Sequence, residues 1–296
     1  MFKLIAASLC VALLVGCSSN PYTSLDRRPL ISSWTDGSDA GVPRAKLYAE
    51  SVLPYAIMSY DVYNDDPSEF EQFPYPKNEN WTEILHGQGI EDDIGFAAKA
   101  WVRTKESQEK EVVIVYRGTD GIFADFFRGN LVFFKPYIYR THFDAAEEFS
   151  DKVRKAVSDQ NISSFVYTGH SLGGGLAEYV HKLNDGSKAV TFDSSFNTGF
   201  IYSLFSDTSN QNMIRAYEKG EFLEWPRKLL LPDTEWDETP WENEINTIWF
   251  QFYSSNLGAA HDMQDLAMSI VKAAVLNGSE SAKSVMQQVM DKTAAR

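Results

Sequence analysis

Apolar residues along the chain form two kinds of pattern, continuous or alternating runs that suit strands and wider spacings that suit helices. Residues 96–104 and 111–116 predict the two strands of a hairpin, and the second strand carries the uninterrupted apolar run 112–115. Such an unbroken run is typical of a central strand that is buried on both faces. Further strands are predicted over residues 163–167, 188–192, 212–217 and 247–253.

Helical spacing of apolar residues separates these strands. It predicts helices from about residue 43, over about 142–159, over 172–183, and from residue 261 to the end with an interruption near Asn277 and Gly278. Strands that alternate with helices predict an α/β fold, with a mostly parallel central sheet covered by helices on both faces. Composition shows no break after residue 43 that would indicate a second domain, so residues 44–296 are predicted to form a single domain.

The amino-terminal residues follow a different pattern. Lys3 is followed by an apolar run over residues 4–15, which is too short to span a bilayer but suits the core of a signal peptide. The run ends Leu-Val-Gly-Cys at Cys17, which resembles the lipobox of bacterial lipoproteins. That resemblance implies that residues 1–16 are a signal peptide and that Cys17 carries lipid, including palmitate. The alternative is an ordinary secretory signal that is cleaved elsewhere.

Residues 17–43 are rich in Ser, Gly, Pro and Asp and lack an apolar period, so they are predicted to be a tether between lipid and domain. Ser18 follows the cysteine, and a residue other than Asp there implies sorting to the outer membrane. We therefore expect a protein of the bacterial cell envelope that is lipid-anchored to a membrane surface rather than spanning it.

Charge and cysteine content exclude several classes of function. The net charge of -14 argues against a nucleic-acid partner, because no basic surface is available to neutralise phosphates. The two cysteines, Cys10 and Cys17, both precede the predicted domain. The domain therefore has no thiol with which to form a disulfide or to ligate a metal ion.

Residues 165–174 carry the strongest indication of chemistry. A strand that ends in aromatic and β-branched residues leads into Gly169, Ser171 and Gly173 in the spacing Gly-x-Ser-x-Gly, and a helix follows. A sharp strand-to-helix turn exposes the middle serine at the edge of a sheet, and small neighbours are needed for close packing. This context favours Ser171 as a catalytic nucleophile over the alternative of a structural turn.

A second segment, residues 116–119 (Tyr-Arg-Gly-Thr), ends the earlier apolar strand. Together with Gly-His-Ser-Leu-Gly-Gly at 169–174, it resembles the class 3 lipase family of α/β-hydrolases, in which the first segment is usually Phe-Arg-Gly-Thr. The resemblance implies an oxyanion hole formed by the backbone N–H and hydroxyl of Thr119 and by the backbone N–H of Leu172. It also implies that the aromatic-rich residues 122–139 supply a lid and part of an acyl groove.

A serine nucleophile at neutral pH needs a base, and the chain has five histidines. In α/β-hydrolases the acid and then the histidine follow the serine in sequence. His86, His142 and His170 precede Ser171, and His181 lies about three turns along the predicted nucleophile helix. Elimination leaves His261, which follows the last predicted strand.

Several carboxylates could serve as the acid of the triad. Family acids lie at the end of the strand after the next crossover, in a segment like Gly-Asp-x-Val, and Gly220-Glu221 occupies that position here. Glu221 is therefore the candidate, and four other carboxylates remain open: Asp193, Glu218, Glu224 and Asp233.

These residues predict a serine carboxyl-ester hydrolase that acts on lipid esters in the manner of a triacylglycerol lipase. No metal ion or organic cofactor is expected. One alternative is a phospholipase A1 with the same triad. The other is a catalytically silent envelope lipoprotein that uses the fold as a binding module.

Overall fold

The computed structural model describes residues 41–63, 80–91, 94–118, 136–195, 212–218, 221, 223, 245–250 and 261–294. Five helices lie in these ranges: α1 (Gly41–Asp61), α2 (Pro136–Ala156), α3 (Leu172–Leu183), α4 (Met263–Leu276) and α5 (Glu280–Ala294). The strands are β1 (Thr82–Ile84), β2 (Ile90–Glu91), β3 (Phe96–Thr104), β4 (Lys110–Tyr116), β5 (Ile162–His170), β6 (Lys188–Phe192), β7 (Met213–Glu218) and β8 (Ile245–Phe250).

The strands that the structure describes form one eight-stranded sheet in the order β1-β3-β4-β5-β6-β7-β8, and β2 pairs with β3 off this path. Strands β4 to β8 run parallel, whereas β1, β2 and β4 are antiparallel to β3. The predicted hairpin is confirmed as β3 and β4. The short strands β1 and β2 were not predicted, because two or three residues cannot show a period.

Residues of β4 alternate between the two faces of the sheet and thereby divide the core in two. Val113 and Val115 pack in a cluster with α1, α4 and α5. Val112 and Ile114 pack in a second cluster with α2 and α3. All four side chains are fully buried. The prediction of a mostly parallel sheet covered by helices on both faces is therefore confirmed.

Most predicted elements agree with the structure to within a few residues. The largest difference is α2, which begins at Pro136 rather than near residue 142. The predicted interruption of the carboxyl-terminal helices is the break between α4 and α5. The predicted signal peptide and most of the predicted tether lie outside the described residues. In the described part of the chain, no helix combines the length and apolar character needed to cross a membrane.

Candidate active site

Ser171 lies at the turn between β5 and α3, at the carboxyl edge of the parallel strands. Its backbone has φ 55° and ψ -122°, which is a strained conformation for a residue with a side chain. The turn is held by its neighbours, because the Ser171 N–H donates to the carbonyl of Phe192 at 3.0 Å and the Ser195 N–H donates to the carbonyl of Ser171 at 2.8 Å. These bonds to the end of β6 fix the sharp strand-to-helix turn that the sequence predicts.

Two glycines around Ser171 occupy positions that have no room for a side chain. A Cβ at Gly169 would lie 2.5 Å from the carbonyl carbon of Gly173 and 2.7 Å from the carbonyl oxygen of Tyr116. A Cβ at Gly173 would collide with that same carbonyl of Tyr116. The glycine spacing therefore allows β5, α3 and the end of β4 to approach one another closely at Ser171.

The structure brings Ser171, His261 and Glu221 into one hydrogen-bonded chain. His261 Nε2 lies 3.1 Å from Ser171 Oγ, and His261 Nδ1 lies 3.0 Å from Glu221 Oε2. The Glu221 side chain is fully buried, and that of His261 is 11% exposed. A base within hydrogen-bond distance of the hydroxyl, oriented in turn by a carboxylate, is the arrangement that activates a serine.

Local structure explains how His261 and Glu221 reach these positions. Asp262, the residue after His261, caps α4 by accepting the backbone N–H of Asp265 at 3.1 Å. This cap places His261 just outside the helix. Glu221 follows the end of β7, and its Oε2 also accepts the backbone N–H of Leu223 at 2.8 Å. Two donors therefore converge on one carboxylate oxygen, which fixes the rotamer of the acid.

The predicted oxyanion donors are only partly described. Leu172 is the first residue of α3 and is buried, and backbone N–H groups in the first turn of a helix have no intrahelical acceptor. The helix dipole adds a partial positive charge at the same end. The backbone of this residue is thus suited to stabilise an anion beside Ser171. Thr119 lies outside the described residues, and the description of this strand end stops at Gly118.

Of the other carboxylates considered for the triad, Asp193 and Glu218 lie in the described part of the chain. Asp193 follows β6, is fully buried at a φ of 41°, and its Oδ1 accepts the backbone N–H of Glu218 at 2.8 Å. The hydrogen bond at Nδ1 of His261 is made with Glu221. Glu224 and Asp233 lie outside the described residues.

His170 and Tyr63 belong to the site as well, and sequence reasoning did not identify Tyr63. The ring of His170 packs against that of His261 with centroids 4.7 Å apart. Its Nδ1 lies 3.1 Å from the hydroxyl of Tyr63, which follows α1 and also accepts the backbone N–H of Gly118 at 3.1 Å. A tyrosine just past a helix carries no local pattern that would mark it as part of a site.

In the described part of the chain, His170, Asp193 and His261 form the group that could hold a metal ion, with one donor atom of each within 4.8 Å of the others. A tetrahedral zinc ion with bonds of 2.0–2.1 Å needs donor atoms about 3.4 Å apart. Ligation would also compete with the hydrogen bonds that His261 makes to Ser171 and Glu221. The arrangement therefore suits a hydrogen-bonded site better than a metal centre.

Glu178 and Arg215 form a buried ion pair between α3 and β7. Glu178 of α3 accepts both Nε and Nη2 of Arg215 at 3.2 and 2.6 Å, and it also accepts the hydroxyls of Thr191 and Ser194. Burial alone would raise the pKa of Glu178, but the attraction and hydrogen bonds of Arg215 outweigh it and lower that pKa below 4.5. The pair thus joins α3 to β6 and β7 close to the elbow.

The sheet order, the elbow and the Ser171–His261–Glu221 geometry define the chain as an α/β-hydrolase. A family model described as "Phospholipase-like: Tle-like phospholipase domain" matches residues 54–224, which is more than half of the chain. The protein therefore belongs to the Tle-like phospholipase domain family. No curated protein sequence matches the chain significantly.

The chain is also similar, at low identity, to three solved structures of fungal proteins. Lipase II from Rhizopus niveus is 13% identical, with 62% of this chain and 76% of that chain covered and a TM-score of 0.41. A mutant form of MDLA from Penicillium cyclopium is 16% identical, with 74% and 83% covered and a TM-score of 0.37. A structure described as a fungal lipase is 14% identical, with 77% and 86% covered and a TM-score of 0.35.

Proposed function

We propose that the protein is a serine hydrolase that cleaves a carboxyl ester of a phospholipid. In this proposal Ser171 is the nucleophile, His261 the general base and Glu221 the acid that orients the base. The observation that carries the proposal is the continuous hydrogen-bonded chain from Glu221 through His261 to Ser171 on a strained elbow.

Acylation begins when Ser171 Oγ attacks the ester carbonyl carbon and its proton passes to His261 Nε2. The Glu221 carboxylate accepts a hydrogen bond from Nδ1–H of His261, stays ionised, and stabilises the imidazolium that forms. The negative charge on the former carbonyl oxygen is met by the backbone N–H of Leu172, together with the N–H and hydroxyl of Thr119. Preorganised donors at this point usually supply the largest single contribution to catalysis.

The tetrahedral intermediate collapses when His261 gives its proton to the leaving glycerol oxygen. This step releases a lysophospholipid and leaves the acyl group esterified to Ser171. A water molecule then loses its proton to His261 Nε2 and attacks the acyl carbonyl. Breakdown of the second intermediate returns that proton to Ser171 and releases the fatty acid.

One observation supports a phospholipid as the substrate, and a second bears on its head group. The matching family is described as phospholipase-like, which favours a phospholipid over a triacylglycerol, and cleavage at the sn-1 ester would make the enzyme a phospholipase A1. The net charge of -14 would repel anionic bilayers. We therefore propose zwitterionic phospholipids as the preferred substrates.

A lipid anchor would hold the enzyme at the surface where such substrates lie. We propose that Cys17 is lipidated after removal of residues 1–16 and that the protein is retained in the cell envelope, at the outer membrane. Metabolic labelling with palmitate tests this, because a thioether-linked anchor needs the sulfur. Label should enter the wild-type protein and disappear in Cys17→Ser, whereas an unlabelled, wholly soluble wild type would contradict the proposal.

The function is tested with vesicles of a zwitterionic phosphatidylcholine whose two acyl chains differ in mass. The expected products are a lysophospholipid and the sn-1 fatty acid, identified by mass spectrometry. Ser171→Ala should lower kcat by on the order of a million-fold while the circular dichroism spectrum is unchanged. Release of choline or phosphocholine would contradict carboxyl-ester cleavage.

The same assay separates the alternatives. Faster hydrolysis of a triacylglycerol emulsion than of phosphatidylcholine would identify a glyceride lipase. Wild-type protein that binds vesicles but hydrolyses neither substrate, with Ser171→Ala binding equally well, would identify a binding module.

A further inference from the structure

The hydroxyl of Tyr63 contacts two segments of the candidate active site, the ends of β4 and β5. It accepts the backbone N–H of Gly118 at 3.1 Å, and it lies 3.1 Å from Nδ1 of His170. Gly118 and His170 belong to different segments, the end of β4 and the end of β5. One phenol oxygen from the end of α1 therefore joins two neighbouring strand ends beside Ser171.

The first of these contacts bears on the oxyanion hole. Gly118 immediately precedes Thr119, whose backbone N–H is a proposed oxyanion donor. A Cβ at Gly118 would lie 2.6 Å from the carbonyl oxygen of His170 and 3.3 Å from Cβ of Ser171, and it would collide with the hydroxyl of Tyr63. The Gly118 backbone is thus pressed against the elbow, and Tyr63 holds it there by its N–H.

The second contact bears on the base. Because an amide N–H can only donate, the phenol oxygen accepts it and can direct its own proton to Nδ1 of His170. The His170 ring is 5% exposed and packs against the His261 ring, with centroids 4.7 Å apart. A hydrogen bond that fixes the orientation of the His170 ring therefore also helps to fix the position of the His261 ring that packs against it.

We propose that Tyr63 is a positioning residue of the hydrolase. Its hydroxyl fixes the Gly118 backbone, which leads to the oxyanion donor Thr119, relative to the His170 ring, which packs against His261. This inference rests on the proposed function. It assigns a role in kcat to a residue 108 positions before Ser171 in sequence, at the end of a helix that otherwise packs in the core.

The test compares Tyr63→Phe with Tyr55→Phe, a matched variant in helix α1, which precedes Tyr63. Tyr55 is also half-buried, but its hydroxyl contacts Glu111 at 3.4 Å, away from the site. Removing an oxyanion donor outright costs about a hundred- to a thousandfold in kcat. Displacing one should cost less, so Tyr63→Phe is expected to lower kcat by about ten- to a hundredfold with KM within about twofold. Tyr55→Phe should leave kcat within about twofold of wild type.

A transition-state analogue separates positioning from a general loss of structure. A trifluoromethyl ketone forms a hemiketal with the serine and places an oxyanion in the hole, so its inhibition constant should rise in Tyr63→Phe by the same factor by which kcat/KM falls. An unchanged kcat, or a higher KM at unchanged kcat, would overturn the inference.

A second pair of variants keeps the test decisive if Tyr63→Phe does not fold. His170→Asn retains an acceptor near the position of Nδ1, whereas His170→Leu removes it. The Asn variant is expected to keep at least about threefold more kcat than the Leu variant, and equal kcat values would overturn the inference. Wild-type protein that hydrolyses no ester refutes the proposed function instead, whereas an active, Ser171-dependent enzyme that is indifferent to Tyr63→Phe refutes only this inference.

Discussion

Two buried glutamates close to the carboxyl edge of the sheet have different partners. Glu178 faces Arg215, a permanent cation, and accepts hydrogen bonds from two hydroxyls as well. Glu221 faces His261, whose ring can gain or lose a proton, and accepts one backbone N–H. Both side chains are fully excluded from water. Burial alone therefore does not distinguish a structural carboxylate from a catalytic one.

The residue that each carboxylate faces distinguishes a structural role from a catalytic one. A carboxylate beside a guanidinium keeps one charge state over a wide pH range, so it can hold α3 against β6 and β7 but cannot respond to a reaction. In the proposed mechanism, a carboxylate beside a neutral imidazole stabilises a cation that forms only while Ser171 attacks. We infer that Glu178 supports the scaffold and that Glu221 takes part in the chemistry.

The largest expected difference between the two glutamates is the loss of kcat on substitution of Glu221. Glu221→Gln keeps the shape of the side chain but removes the charge that favours the correct His261 tautomer and the imidazolium. By analogy with the acid of serine proteases, kcat should fall by about a thousand- to ten-thousandfold. Steady-state hydrolysis of phosphatidylcholine measures this, with circular dichroism as the check on folding.

Asp193→Asn is the matched control for that variant. Asp193 is the other carboxylate close to His261, but its Oδ1 accepts the backbone N–H of Glu218, and an Asn oxygen can accept the same bond. Its kcat should fall by less than about tenfold. A crippled Asp193→Asn beside an active Glu221→Gln would assign the acid to the end of β6.

The opposite pattern is expected at Glu178. Glu178→Gln leaves the charge of Arg215 buried and uncompensated, so the free energy of unfolding should fall by about 3–5 kcal/mol. The kcat of the molecules that remain folded should change by less than about tenfold. Urea unfolding and active-site titration measure the two quantities, and a large loss of kcat at unchanged stability would place Glu178 in the chemistry.

A smaller effect follows from the lowered pKa of Glu178. Because that pKa lies below its unfolded-state value of 4.5, the carboxylate contributes stability above this value and loses it as the pH falls through the folded-state pKa. The stability difference between wild type and Glu178→Gln should therefore be constant at neutral pH and shrink below pH 4.5. Unfolding curves at several pH values test this, and a difference independent of pH would contradict the ion-pair assignment.

The features predicted from sequence are mostly those encoded by neighbouring residues. The elbow at Ser171 has its glycine spacing within a few positions, and the apolar run 112–115 marks a central strand by itself. His261 and Glu221 were not encoded locally, because both followed from the resembling family: His261 from the order of the triad residues, and Glu221 from the place of the family's acid after a strand. The structure brings all three side chains together.

The features that sequence reasoning missed depend on contacts between distant residues. The Glu178–Arg215 pair joins positions 37 residues apart, and nothing near either residue indicates the other. Tyr63 contacts His170 across 107 positions. The edge strands β1 and β2 are too short for a period and form only because β3 provides a pairing partner.

Labelling with a fluorophosphonate tests the assignment of the nucleophile most directly. This reagent phosphonylates a serine only when a base and oxyanion donors activate it. Intact-mass measurement followed by peptide mapping is expected to find one adduct, on Ser171, that is absent in Ser171→Ala and forms far more slowly in His261→Ala. An adduct on another residue, or an unlabelled Ser171 in a preparation that hydrolyses phospholipid, would contradict the proposed mechanism.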